Sequence, residues 1–244
     1  MIATGSVLLR EMSARVALGD EKGALAAQNR AASLTLALGA PFVVAFLLIP
    51  DLIVAVAFEH GAFKASATEQ ASRVLAAYAL GMPALFVDRI AAASFLSRGD
   101  TATPLKVTLV GVAVNVALKI ALFRPLGAPG LALATAAGLW IKVAGVFALA
   151  RRRGWSAPDE RLIATAAATL FAAGALALAL TLVDGPLIAL MSHLPRLARE
   201  ARLAALTVIA AAVYFAALGL GLWLTRTMPT GLLKRAQRAL RLGR

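Results

Sequence analysis

The 244-residue sequence predicts an all-α fold, a polytopic transmembrane helix bundle with about six spans. Three observations carry this expectation. Hydrophobic residues make up 61% of the chain and the mean hydropathy is +0.82, against roughly 45–50% apolar residues in a soluble domain. Charged residues, 15% of the total, gather between long uncharged runs instead of scattering through them. The runs are continuous and rich in Ala and Leu, whereas a membrane β-barrel alternates apolar and polar positions in short segments. In lipid a backbone amide has no water to bond, so each run must close its hydrogen bonds on itself as a helix.

A crossing takes roughly 20 mainly apolar residues, and six segments meet that requirement. The stretch 1–30 reads as the end of a preceding helix and a charged loop, with no signal-peptide layout. Ala31–Ile49 is the first span, free of charge, with Pro41 inside it. Val74–Ser97 is the second, carrying Pro83 and the adjacent charges Asp88 and Arg89. Val107–Phe123 and Leu131–Ala150 are the third and fourth, holding Lys119 and Lys142, and the fourth stops at Arg151-Arg152-Arg153. Leu162–Val183 and Leu203–Leu224 complete the set without a charge, and Pro186–Arg202 between them reads as an outer surface helix. The tail 226–244 interleaves leucines with Lys234, Arg235, Arg238 and Arg241, the pattern of an amphipathic helix on anionic membrane lipids.

Alternate connections differ in charge. One side receives Arg10, Arg15, Lys22, Arg30, Arg98, Lys106, Arg151–Arg153, Arg161 and the basic tail; the other receives Lys64, Arg73, Arg124, Arg196, Arg199 and Arg202. The richer side is cytoplasmic by the positive-inside rule, which places both termini there. The net charge of +13 is therefore read as an orientation and lipid signal, with no nucleic acid as partner. There are no cysteines, which excludes disulfides and thiolate metal sites. His60 and His193 stand apart, and no nucleophile–base pair or phosphate-cradling loop is present, so neither an enzyme nor a cofactor is expected.

The ionisable residues inside spans are the candidate site. A charge at membrane depth is costly and usually faces a cavity or a partner. Asp88 and Arg89 point about 100° apart on a helix, so one of them must meet another helix or water. Asn115 shares a helical face with Lys119. Arg89, Lys142, Asn115 and Asp88 are taken as substrate-binding residues of a cationic cavity for an anionic lipid-linked substrate, with Asp88 offsetting a nearby cation. Arg89 and Lys142 are expected to face the bundle interior. Lys119, close to the end of its span, is expected to snorkel to the outer headgroups.

Four stretches then carry a family resemblance. Ala77–Ala84 runs on into Phe95-Leu96-Ser97-Arg98-Gly99-Asp100-Thr101-Ala102-Thr103-Pro104-Leu105-Lys106, and Gly5–Ser13, Phe58–Phe63 and Gly130–Thr135 follow the same order as in the family. The chain resembles the MurJ/MviN family of lipid II flippases, within the MOP exporter superfamily. The resemblance implies that its spans correspond to the ninth through fourteenth of a fourteen-span fold: 31–150 the last four helices of the second lobe, 151–225 two additional helices. It implies a multi-pass bacterial inner-membrane protein that flips lipid II, or a related undecaprenyl-linked glycolipid, by rocking two lobes about a cationic cavity. The first lobe would then be supplied in cis or trans, and the two uncharged C-terminal helices would hold the lipid tail. Arg10, Ala93 and Leu96 depart from the family's usual Pro, Pro and Tyr, which suggests a divergent member. The alternatives are a non-transporting interaction subunit or truncated remnant, and another exporter of the superfamily that moves drugs or polysaccharide lipids.

Overall fold

Each apolar run is helical in the computed structural model, which describes residues 2–191 and 198–225. The helices are α1 (Ile2–Ala17), α2 (Glu21–Leu48), α3 (Pro50–Phe58), α4 (Ala65–Ala79), α5 (Met82–Leu96), α6 (Ala102–Arg152), α7 (Glu160–Met191) and α8 (Ala198–Leu224). No strand occurs among the described residues. Five helical stretches are long and apolar enough to cross a membrane, α4 and α5 counting as one.

The third and fourth predicted spans lie within the single 51-residue α6. A straight helix of that length would reach about 76 Å at ~1.5 Å per residue, more than twice the ~30 Å apolar core of a bilayer. The chain instead reverses at Gly127, whose φ of 60° and ψ of −138° suit a residue without Cβ. A Cβ placed on Gly138 would lie 2.8 Å from the Gly111 carbonyl oxygen and 2.8 Å from Asn115 Cβ. Residues 27 apart in sequence are thus in backbone contact, so α6 is an antiparallel hairpin closed by small residues. It makes two crossings, and the bundle makes six.

The second span is also not a plain rod. It begins at Ala65, not Val74, because its polar start supports itself: Arg73 pairs with Glu69 at 2.5 Å, and Ser72 Oγ donates to the Thr68 carbonyl at 2.7 Å. It then breaks between α4 and α5, just before Pro83. Proline has no N–H to donate and crowds the preceding turn, which leaves carbonyls to be satisfied elsewhere. Trp140 Nε1 donates to the Leu80 carbonyl at 2.9 Å. Gly81 presses on α6, a Cβ there falling 2.8 Å from Ala136 Cα. Broken backbone at membrane depth is tolerated where other groups satisfy it; here Ala79 and Gly81 are buried and the exposed Leu80 carbonyl takes the Trp140 bond.

The remaining boundaries shift outward. α2 starts at Glu21, where Asp20 caps it by accepting from the Gly23 N–H at 2.8 Å. Residues 50–58, which lie between the first two predicted spans, form the short α3 led by Pro50. The expected surface helix at 186–202 is divided between the end of α7 and the start of α8, and its middle, 192–197, lies outside the described residues. The expected amphipathic tail at 226–244 lies outside them too.

α7 and α8 pair closely, with Gly221 against Ala168, and seat on α2. Leu176, Leu180, Leu206 and Leu218 fill the seam around fully buried Tyr214. The tyrosine hydroxyl donates to the Ala37 carbonyl on α2, which gives a buried polar group the partner it needs.

The connections assigned to one side by charge do meet at one end. Arg98 pairs with Glu21, Arg153 with Asp100 at 2.5 Å, and Asn29 Nδ2 donates to the Ala157 carbonyl at 2.9 Å. At the other end Arg199 pairs with Glu59 at 2.7 Å and Arg202 with Asp184. We call these the basic end and the opposite end.

The Arg-Gly-Asp-x-x-Thr-Pro stretch lies at the basic end. Asp100 accepts from the Thr103 N–H at 2.9 Å and its hydroxyl at 2.7 Å, holding the start of α6. Arg98 and Arg153 each stack on Trp155, 4.9 Å from its ring centre, and Trp155 meets Phe95 edge-on at 5.4 Å. The Thr103 amide first, then its hydroxyl, then Arg153 hold the Asp100 carboxyl at about 2, below its ordinary 3.8. A folded-state value below the unfolded one means that this contribution is complete above pH 3.8 and lost as pH falls towards about 2. Melting temperatures of the purified chain are therefore expected to fall across that interval, and Asp100→Asn to flatten part of the fall.

Candidate functional site

Two elements position the charged residues at membrane depth: α5 carries Asp88 and Arg89, and the α6 hairpin carries Asn115, Lys119 and Lys142. Phe86, Val87 and Ile90 turn the greasy face of α5 into the bundle, each less than a tenth exposed. That leaves Asp88 at the edge of the packed face, aimed at the second arm of α6. Lys142 Nζ sits 2.8 Å from Asp88 Oδ1 and 2.9 Å from Oδ2. The side chains are only 22% and 17% exposed. The lysine that had no acid within its own span thus finds one 54 residues away in sequence.

The pair has a clear energetic reason. A lone Lys or Asp at the centre of a spanning helix costs about 2.5–3.5 kcal/mol on insertion scales. Side by side, each offsets much of the other's desolvation. Gly111 lets the first arm of α6 close against Lys142, since a Cβ there would stand 3.1 Å from Lys142 Cβ. Asn115 packs over Gly138, one turn from Lys142, and its Oδ1 is buried without a hydrogen-bond partner among the described residues. Asp88 and Lys142 therefore meet at the α5–α6 contact, and Asn115 lies beside them in the seam between the two arms of α6.

Arg89 is not among them. It was expected to face the bundle interior, and that expectation is corrected: Arg89 is exposed, on an outward stripe of α5 with Leu85 (48%) and Leu96 (38%). The reason is angular, since a residue next to Asp88 turns about 100° away from it, and Phe86, Val87 and Ile90 already occupy the packed faces. Arg89 makes no ion pair among the described residues. Lys119 is half-buried, eight residues before the Gly127 turn.

Some contacts carried little signal in the sequence. Trp140 bonding Leu80 could be suspected only from Pro83, which announces a freed carbonyl without saying what serves it. At the opposite end, a cleft of about 420 Å³ is lined by Asp51, Glu59, Glu69, Asp184, Arg199 and Arg202. The Thr68 hydroxyl and then Arg199 hold the Glu59 carboxyl below its ordinary range. Both arginines there are engaged in pairing α8 with α3 and α7. Among the described residues, no group of three His, Cys, Asp or Glu side chains stands ready for a metal ion.

A six-crossing helical bundle with a broken helix and an ion pair between spans defines a polytopic membrane protein with polar groups held at membrane depth. Residues 1–199 match the family model described as "Lipid II flippase MurJ", and the chain belongs to that family. It is 35% identical over 222 residues to a probable lipid II flippase MurJ of Rhizobium meliloti (strain 1021), covering 90% of this chain and 42% of the relative. To the Rhizobium tropici protein of the same description it is 39% identical over 153 residues, covering 63% of this chain and 29% of the relative. A solved structure titled "Lipid II flippase MurJ, inward closed conformation" shares the fold, with a TM-score of 0.68 at 22% identity, covering 90% of this chain and 42% of that one. The chain thus spans well under half the length of these relatives.

Proposed function

We propose that the chain forms the C-terminal part of a flippase that carries lipid II from the cytoplasmic to the outer leaflet of a bacterial inner membrane. The observation that carries this reading is the family match over residues 1–199. On this reading the basic end lies in the cytoplasm, as the charge bias favours, and both termini lie there with it.

Arg89 supports the same reading. An unpaired guanidinium at membrane depth is costly against lipid, so on this reading the outward stripe of α5 faces the remainder of the transporter across water. There Arg89 would contact the diphosphate of the substrate. Asp88 and Lys142 would set the angle of α5, and the unpartnered Asn115 oxygen would accept from the substrate or from water. The uncharged runs of α7 and α8 would hold the prenyl tail. The driving force would act on these charges through the membrane potential, and no covalent step is needed.

The test is a chimera in which this chain replaces the matching part of the Rhizobium meliloti relative. It is expected to restore growth and outer-leaflet lipid II to a flippase-depleted bacterium, and Arg89→Gln to abolish the rescue. A chimera that inserts and folds but leaves lipid II in the inner leaflet would refute the reading.

A further inference from the structure

A second cleft, of about 400 Å³, opens at the basic end between α2, the last turns of α6 and the first turn of α7. Phe147 and Leu162 supply apolar wall, Gln28, Asn29 and Ser156 polar wall, and Arg151 lines the mouth. Two features do not fit a site made only for packing. Gln28 is 2% exposed, yet neither its Oε1 nor its Nε2 has a hydrogen-bond partner among the described residues. A buried amide left bare costs about 1–3 kcal/mol. Arg151 is exposed and makes no ion pair among the described residues, whereas Arg153 in the same run is committed to Asp100.

We infer that this cleft binds one anionic phospholipid from the adjoining leaflet. The phosphate takes Arg151, the glycerol ester carbonyl accepts from Gln28 Nε2, and the first methylenes lie on Phe147 and Leu162. Basic pockets between spanning helices at a headgroup surface take lipid phosphates in this way. The lining separates the occupants. Water takes only about 30 Å³ per molecule, so it would have to fill the cleft as a cluster, and Phe147 and Leu162 offer such a cluster no hydrogen bond. A disaccharide-peptide headgroup is too bulky for it, and a phosphoglycerol unit with its first methylenes fits. The chain's own tail is a poor occupant, because Lys234, Arg235, Arg238 and Arg241 carry the same sign as Arg151. This binding requires neither the substrate nor the orientation proposed above.

Native mass spectrometry of the purified chain, titrated with dioleoyl phosphatidylglycerol or dioleoyl phosphatidylcholine, tests it. The wild type is expected to bind one phosphatidylglycerol at least about tenfold more tightly than phosphatidylcholine, with Arg151→Gln removing that preference. Diffuse attraction at a membrane surface is worth about fivefold per basic residue, so Arg152→Gln, which lies outside the cleft, serves as the comparison and should change affinity less than about threefold in detergent. Gln28→Leu should weaken both lipids alike, because both present the ester. Arg151 is exposed, so its loss leaves the fold intact even where a Gln28 variant does not fold. Equal effects of Arg151→Gln and Arg152→Gln would overturn the assignment, as would a wild type without preference. One-for-one displacement of phosphatidylglycerol by lipid II would also overturn it, since the cleft would then belong to the substrate.

Discussion

Asp88→Ala is expected to destabilise the chain by on the order of 3 kcal/mol, the lower end of the range for stripping one partner from a buried ion pair. The lower end applies because the two side chains keep 17% and 22% of their surface exposed, so water and headgroups relieve part of the penalty. The loss should come from Lys142 left charged between helices, not from the missing carboxylate itself. Lys142→Met in the same chain should then recover most of the stability, and so should the swapped pair Asp88→Lys with Lys142→Asp. A double-mutant cycle on unfolding in mixed micelles reads the coupling directly. A double variant whose loss equals the sum of the two single losses would show that the pair contributes nothing of its own.

Gly138→Leu should do comparable damage by a different route. Its Cβ would sit 2.8 Å from the Gly111 carbonyl oxygen, a backbone atom that cannot swing aside. The two arms of α6 must separate, and overpacking of this kind costs about 1–3 kcal/mol, with the upper end expected here. Gly174→Leu on α7 is the matched control, because nothing lies within 4 Å of its Cβ position. Leu favours a helix more than Gly does, so a loss of similar size in the control would mean that a general effect of the added bulk, not hairpin closure, is being measured.

The spans were legible because hydropathy reports them one at a time, and each needs only its own residues. Partnerships between spans were not, because they depend on which helices become neighbours. Lys142 read as a lone cation until folding placed Asp88 against it. The gap between Val107–Phe123 and Leu131–Ala150 was legible from hydropathy too, and the chain reverses within it, at Gly127. The start of α4 was missed by hydropathy, since Thr68, Glu69, Ser72 and Arg73 form a polar helix held by its own side-chain bonds. Arg89 was assigned to the interior on the premise that a charge must avoid lipid. The premise concerns the whole transporter, whereas the exposure concerns a chain that spans 42% or less of these relatives. Arg98, Asp100, Thr103 and Pro104 were read as a family signature, and their visible work is mechanical: they cap α6 and brace the basic end.

The central claim is that the Arg89 stripe of α5 lines a watery path used by an anionic lipid. The chain has no cysteine, so a single one can report on its own position. Arg89→Cys is made in the chimera with the Rhizobium meliloti relative, stripped of that protein's cysteines, and exposed to a water-soluble, membrane-impermeant thiol reagent. Fast labelling is expected at position 89, slowed by added lipid II, beside slow labelling of Val116→Cys on the apolar outer face of α6. Labelling at position 89 as slow as at 116, and indifferent to lipid II, would place the stripe against lipid and contradict it.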